Sequence, residues 1–202
     1  MRIGIDIDNT ITETTEIIMA YARKYGERHQ LNTEPDYREY YIEDAFGWPR
    51  ETADAFLNGC LLDIYRDVKP KPGALNTMRE INHCHSLILI TSRNRFFPGI
   101  ETATREWLAR YEIPFESLVM NSTANMHHFS KVQACQENRV EVMVEDHHEL
   151  AFELSQHVPV LLFDYPYNRH IHSPNICRVK TWEEVGARIK DMNNIAGQKN
   201  LA

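Results

Sequence analysis

Ile3-Gly4-Ile5-Asp6-Ile7-Asp8-Asn9-Thr10 is an apolar β-type run that ends in two carboxylates one residue apart. Ionised carboxylates are costly to desolvate, so a pair at the lip of a buried strand calls for a metal, a proton or hydrogen-bond donors. Period-two alternation points Asp6 and Asp8 the same way if the strand persists to residue 8. Such a pair can hold a divalent cation, or divide nucleophilic from acid/base work. The pattern D-x-D-x-T is weak alone, so the remainder of the chain has to decide its meaning.

Downstream, Ile17, Ile18, Tyr21 and Tyr25 recur at helical spacing and predict a helix from about Thr12 to Arg28. Pro49 suits the first turn of another helix, with Ala53, Phe56, Leu57, Cys60, Leu61 and Ile64 on its apolar face. Residues 12 to 66 therefore read as helical, without a strand. Lys69-Pro70-Lys71-Pro72-Gly73 is a stiff connector, and beyond it the pattern changes. Short apolar runs at Ser86–Ile90, Leu118–Met120, Val140–Val144 and Val160–Phe163 alternate with helical stretches, the last starting near Thr181 and Trp182. That alternation predicts an α/β doubly wound fold with a parallel five-stranded sheet covered on both faces. The expected division is a core of residues 1–11 and 69–195, a small helical insertion at 12–68, and a frayed tail at 196–202.

Ligands of open α/β sheets sit beyond the carboxyl ends of the strands. Those ends carry Asp6 and Asp8, then Thr91-Ser92-Arg93, Asn121-Ser122, Glu145-Asp146, and Asp164 with Tyr165-Pro166-Tyr167-Asn168-Arg169. Polar and charged groups thus gather at one edge.

Composition narrows the partners. The 202 residues are 43% hydrophobic and 25% charged, ordinary for one soluble domain with a sizeable core. A net charge of −7 argues against a nucleic acid polymer, though not against a small phosphate ester. The four cysteines lack C-x-x-C spacing, the strand begins at residue 3, and no apolar run could span a bilayer. A cytoplasmic protein with free thiols and no membrane partner is expected. Whether it forms a homodimer stays open.

In order, Asp6/Asp8/Thr10, Thr91, Lys131 and Glu145/Asp146 resemble the motifs of the haloacid dehalogenase-like hydrolases, which are mostly phosphatases. They span residues 6 to 146. The resemblance implies that Asp6 attacks phosphorus and forms an aspartyl-phosphate. Asp6 is expected to need no deprotonation at pH 7. Asp8 would protonate the leaving alkoxide and then activate water. Thr91 would donate a hydrogen bond to a phosphate oxygen, Lys131 would offset the like charges of Asp6 and the phosphate, and Mg²⁺ would be held by Asp6, the Asp8 carbonyl and Asp146, with Glu145 behind. Asn9 stands where the family often has Gly; Asn tolerates left-handed backbone, so the turn should survive.

The insertion matches the family's helical cap in place and size, and carries Tyr40, Tyr41, Phe46 and Trp48. Together with Thr91-Ser92-Arg93 and the segment Leu161–Arg169, it resembles the type C 5′-deoxyribonucleotidase branch and its bacterial members. That implies hydrolysis of a nucleoside monophosphate, with Thr10, Ser92, Arg93, Tyr41, Phe46, Trp48 and Arg169 as candidate substrate contacts. The cap aromatics read more readily as packing residues than as stacking ones, since helical faces need core residues, with Trp48 the better stacking candidate because it precedes Pro49. Ten histidines, including the adjacent pairs His127-His128 and His147-His148, raise a histidine-built metal site as a rival to Mg²⁺. Rival functions are a sugar-phosphate or other small-metabolite phosphatase, a phosphotransferase, and a non-catalytic nucleotide- or phosphate-binding protein.

Overall fold

The computed structural model describes residues 1–123 and 129–199. Six strands form one sheet: β1 (Arg2–Ile5), β2 (Ser86–Asn94), β3 (Ser117–Asn121), β4 (Val142–Glu145), β5 (Val160–Phe163) and β6 (Ile176–Val179). All neighbours are parallel, in the order β3-β2-β1-β4-β5-β6. The chain goes outward from β1 in one direction and then returns to build β4 on its other side. The carboxyl ends of β1 and β4 therefore flank the topological switch point, where a crevice opens.

Alternation along each strand divides the core in two. Leu87 and Leu89 of β2 face one layer with Ile3, Ile5, Val144 and Trp182, whereas Ile88 and Ile90 face another with Met143, Val160 and Leu162. The helices that cover these layers are α4 (Ala74–Asn82), α5 (Ile100–Arg110), α6 (Lys131–Glu137), α7 (His148–Leu154) and α8 (Trp182–Lys199). At Gly4, the face of β1 opposite Ile3 and Ile5 has no room for a side chain. An added Cβ would lie 2.6 Å from Met143 Sδ and 3.0 Å from Val140.

The sixth strand corrects the expected five. Ile176, Cys177 and Arg178 are only half buried at the sheet edge, and Arg178 interrupts any apolar run. An edge strand of this kind lacks the continuous hydrophobic signal of its buried neighbours. The expected tail also starts too early, because α8 continues to Lys199. The rest of that tail, 200–202, and the His127-His128 pair lie outside the described residues.

Between β1 and the Lys69–Gly73 connector come α1 (Thr14–His29), α2 (Ile42–Phe46) and α3 (Arg50–Asp67). They share a hydrophobic cluster of their own, centred on Met19, Phe46, Trp48, Phe56 and Ile64. The two passages joining this layer to the sheet run side by side. Lys71 N donates to Ile11 O at 2.7 Å and Glu13 N to Lys69 O at 2.9 Å. A buried indole anchors each: Trp182 Nε1 donates to Thr10 O, and Trp107 Nε1 to Val68 O. Among the described residues, no helix is long and apolar enough to cross a membrane.

The crowding at Gly4 gives a direct expectation. Gly4→Ala should lower unfolding stability by about 1–3 kcal/mol through overpacking, read as a lower urea midpoint with an unchanged m-value. A midpoint equal to wild type would contradict the packing described.

Candidate active site

β1 ends at Ile5, although Asp6 N still donates to Val144 O of β4 at 3.0 Å. The chain then turns, and Asn9 takes a left-handed conformation with φ 55°. The turn survives without glycine, and the asparagine side chain is fully used. Its Oδ1 accepts from the Thr15 backbone and hydroxyl, and its Nδ2 donates to Asp146 Oδ2 at 3.3 Å and Tyr167 Oη at 3.2 Å. Because the strand stops before residue 8, Asp6 and Asp8 have different partners rather than forming one pair.

Asp6 faces Lys131, the first residue of α6, whose preceding Ser130 caps the helix. Lys131 Nζ donates to Asp6 Oδ1 at 2.6 Å and to Glu145 Oε2 at 2.7 Å, with all three side chains almost wholly buried. Glu145 Oε1 accepts the backbone N–H groups of Asp146 and His147. Both Glu145 oxygens therefore accept hydrogen bonds inside the protein. Asp146 instead receives Tyr167 Oη at 2.6 Å on its Oδ2. One carboxylate oxygen from each of Asp6, Glu145 and Asp146 lies within 4.8 Å of the others.

The local charge is unbalanced. Three buried carboxyl groups share one ammonium. Burial pushes the Asp6 carboxyl up to about 7, against the pull of Lys131. Burial, with Glu145 and Asp6 nearby, raises Asp146 well above the usual carboxylate range. Burial also opposes ionisation of Glu145, but Lys131 and its two backbone donors hold it below that range. A further cation beside Asp6 would favour its ionised form. The donors are hard oxygens, so a divalent oxygen-seeking cation fits the set by charge and chemistry.

Asp8 is held elsewhere. Arg93 Nε donates to its Oδ2 at 2.8 Å, Arg93 Nη2 to its Oδ1 at 2.7 Å, and Thr14 Oγ1 to the same Oδ1 at 2.8 Å. The Asp8 side chain is not among the clustered carboxylates, so its place in the expected cation site is confined to the backbone carbonyl.

A cavity of about 390 Å³ opens over these groups, between the sheet edge and the α1–α3 layer. Asp6, Asp8, Lys131, Glu145 and Asp146 lie in its wall, as do Ser92, Arg93 and Tyr41. Tyr40, from the segment before α2, reaches across to His147, with ring centroids 4.2 Å apart, and to Tyr167 at 5.2 Å.

Several expected contacts lie away from the cavity. Phe46 and Trp48 are core residues of the α1–α3 layer, their ring centroids 4.8 Å apart and tilted by 30°, with the indole N–H spent on Asn32 O. Thr10 is wholly buried, and its hydroxyl has no hydrogen-bond partner among the described residues. Arg169 points to solvent and, among the described residues, reaches only Asp164. Thr91 is buried beneath the cavity, its hydroxyl accepting from Arg93 N at 3.2 Å. Sequence reasoning missed the hydrogen bonds of Asn9 and Tyr167 to Asp146, and the contacts of Tyr40 with His147 and Tyr167. The signal for Tyr167 was its position just beyond β5, at the same sheet edge as the carboxylates.

Residues 1–194 match the family model described as 5′ nucleotidase, deoxy (Pyrimidine), cytosolic type C protein. The chain belongs to this family. It is 29% identical over 196 residues to a Bacillus subtilis (strain 168) protein named Putative nucleotidase YqfW, covering 96% of this chain and 94% of that one. Among solved structures it resembles the haloacid dehalogenase-like hydrolase SP0104 of Streptococcus pneumoniae, with TM-score 0.66, 14% identity, and 93% and 97% of the two chains covered. CbbY of Rhodobacter sphaeroides, solved with xylulose-(1,5)bisphosphate, shares the fold at TM-score 0.57 and 14% identity, over 92% of this chain and 96% of that one.

Removing the ammonium and removing a carboxylate should have opposite effects on the cation-free protein. Lys131→Met leaves two buried carboxyl groups uncompensated and should cost about 3–5 kcal/mol. Asp146→Asn relieves repulsion and should raise the melting temperature of the cation-free protein while abolishing its response to divalent cations. Differential scanning calorimetry in EDTA reads both, and equal signs would contradict this electrostatic account.

Proposed function

We propose that this protein is a Mg²⁺-dependent phosphomonoesterase that works through an aspartyl-phosphate on Asp6, with (deoxy)nucleoside 5′-monophosphates as substrates. The observation that carries this reading is the buried Asp6–Glu145–Asp146 cluster, short of positive charge, in the wall of a cavity roofed by α1–α3. Those helices act as the cap, residues 12–68, over a core of 1–11 and 69–195.

Asp6 and Asp146 would hold Mg²⁺, with Glu145 behind them. When bound, the ion supplies charge neutralisation for the phosphate dianion and polarises its P–O bonds. Asp6 attacks phosphorus as the ester P–O bond breaks, and the proton of protonated Asp8 goes to the leaving oxygen. Water then attacks the phosphoryl group and returns a proton to Asp8. The Asp6–phosphorus bond breaks, which releases inorganic phosphate and the free carboxylate. Lys131 keeps Asp6 in place and offsets the like charges of nucleophile and phosphate.

The lining supports a flat, uncharged leaving group. Tyr40, Tyr41, Tyr65, Phe97 and Tyr167 contribute aromatic surface, which suits a base better than a bare polyol. Both lining cations are already committed, Lys131 to Asp6 and Glu145, and Arg93 to Asp8. Glu39 and Glu43 add negative charge. A second phosphate would find no cation free among the described lining residues, so monophosphates are favoured over bisphosphates.

Phosphate release from ribo- and deoxynucleoside monophosphates, sugar monophosphates and sugar bisphosphates tests this. Release from nucleotides should disappear with EDTA and in Asp6→Asn, and Asp8→Asn should fall by about 10²-fold or more. Release from sugar phosphates alone would refute the nucleotide assignment. Cation affinity should also depend on pH. Protons compete for Asp6 below about 7, so binding weakens as pH falls through that value. The rise in melting temperature on adding Mg²⁺ should be larger at pH 8 than at pH 6, and an equal rise would contradict the shared site.

A further inference from the structure

Arg93 is one of the most completely used side chains in the protein. Its side chain is wholly buried. Nε and Nη2 form a fork on the two oxygens of Asp8, and Nη1 donates to Thr104 Oγ1 of α5 at 3.2 Å. The Tyr65 ring of α3 lies 3.8 Å from the guanidinium carbon and covers its face. Thr104 is itself fully buried. Each guanidinium nitrogen thus has a protein acceptor, and one face is closed by an aromatic ring. This arrangement does not suit a substrate clamp, which must present N–H groups to an incoming phosphate. It suits a group that fixes another side chain in one rotamer.

We propose that Arg93 is a positioning residue for Asp8: its fork, locked by Thr104 and Tyr65, holds the Asp8 carboxylate where it takes a proton from the water that hydrolyses the aspartyl-phosphate. The inference rests on the phosphatase reading above. In the step concerned, water oxygen bonds to phosphorus, one water proton passes to Asp8, and the bond between phosphorus and the Asp6 oxygen breaks. No other reactant is required. The guanidinium fork suits this task because it fixes both carboxylate oxygens in one plane, which a lysine ammonium cannot do. Tyr65 belongs to the α1–α3 layer, so the same clamp ties the position of Asp8 to that layer.

The test is pre-steady-state and steady-state kinetics with p-nitrophenyl phosphate and a nucleoside monophosphate. Nitrophenolate leaves without a proton, so its kcat/KM reports formation of the aspartyl-phosphate and its kcat reports hydrolysis. Arg93→Lys should lower kcat by about 10²-fold, keep kcat/KM for the aryl ester within a few-fold of wild type, and release one equivalent of nitrophenolate per enzyme in a burst. Thr104→Val, which removes only the outer anchor, should give the same pattern with a smaller loss, and covers the case in which Arg93→Lys does not fold. Asp8→Asn supplies the reference burst. A raised KM with unchanged kcat would mean that Arg93 contacts the phosphate. Equal losses in kcat and kcat/KM without a burst would mean a general structural role. Either result overturns the inference while leaving the phosphatase reading intact. Wild-type protein that hydrolyses neither ester overturns both.

Discussion

The Lys131 ammonium, bridging Asp6 and Glu145, is the interaction on which the site depends. It joins the end of β1, the end of β4 and the start of α6 at the point where the sheet changes direction. Such a bridge contributes little net stability in itself, since desolvating three charged groups offsets their attraction. Its consequence is geometric: the ammonium holds two carboxylates together, and removing it leaves them buried without a counter-charge. The fold surrounding it is arranged so that the carboxylates cannot move apart: Asp6 N is tied to Val144 O, and Glu145 to the backbone that begins α7.

The rest of the site is shaped by the charge that this single ammonium leaves unbalanced. Asp146 is steadied by Tyr167 and Asn9, which donate hydrogen bonds but no positive charge. Tyr167 is in turn held by the turn at Pro166–Asn168. Asn168 Nδ2 donates to Asp146 O and Phe163 O, and Arg178 of β6 donates to Asp164 Oδ1, Asn168 Oδ1, Asn168 O and Ile171 O. The edge strand therefore contributes to the site from a distance, through the loop it holds. Asp8, by contrast, is held by Arg93 and Thr14 rather than by Lys131. Two carboxylates two residues apart in sequence thus sit in different surroundings, which is how one motif can divide nucleophilic from acid/base work.

Much of this is legible in the sequence because the strands beside the switch point are buried on both faces. Their continuous apolar runs reveal the order of elements. The residues just past those runs include Asp6, Asp8, Glu145 and Asp146, and Lys131 stands at a helix start between two of them. The left-handed Asn9 is expected from its residue type. β6 is not, since its residues are half exposed and carry an arginine. Trp48 is misplaced because an aromatic residue before a proline reads the same whether it faces a cavity or a cap core; only packing against Phe46 and Phe56 decides. Arg93 reads as a substrate clamp because a basic residue after a strand end carries no mark of which anion it meets. Tyr65, far upstream in α3 and indistinguishable from a packing residue, gives no signal.

The mechanism stands or falls on covalent phosphorylation of Asp6. Acid-quenching the enzyme during turnover of a nucleoside monophosphate with Mg²⁺, followed by peptide mapping by mass spectrometry, reads it out. The expected result is one phosphoryl group on the peptide that contains Asp6, more of it in Asp8→Asn when p-nitrophenyl phosphate, whose leaving group needs no proton, is the substrate, and none in Asp6→Asn. Turnover that proceeds with no phosphoryl adduct on that peptide in either the wild type or Asp8→Asn would contradict it.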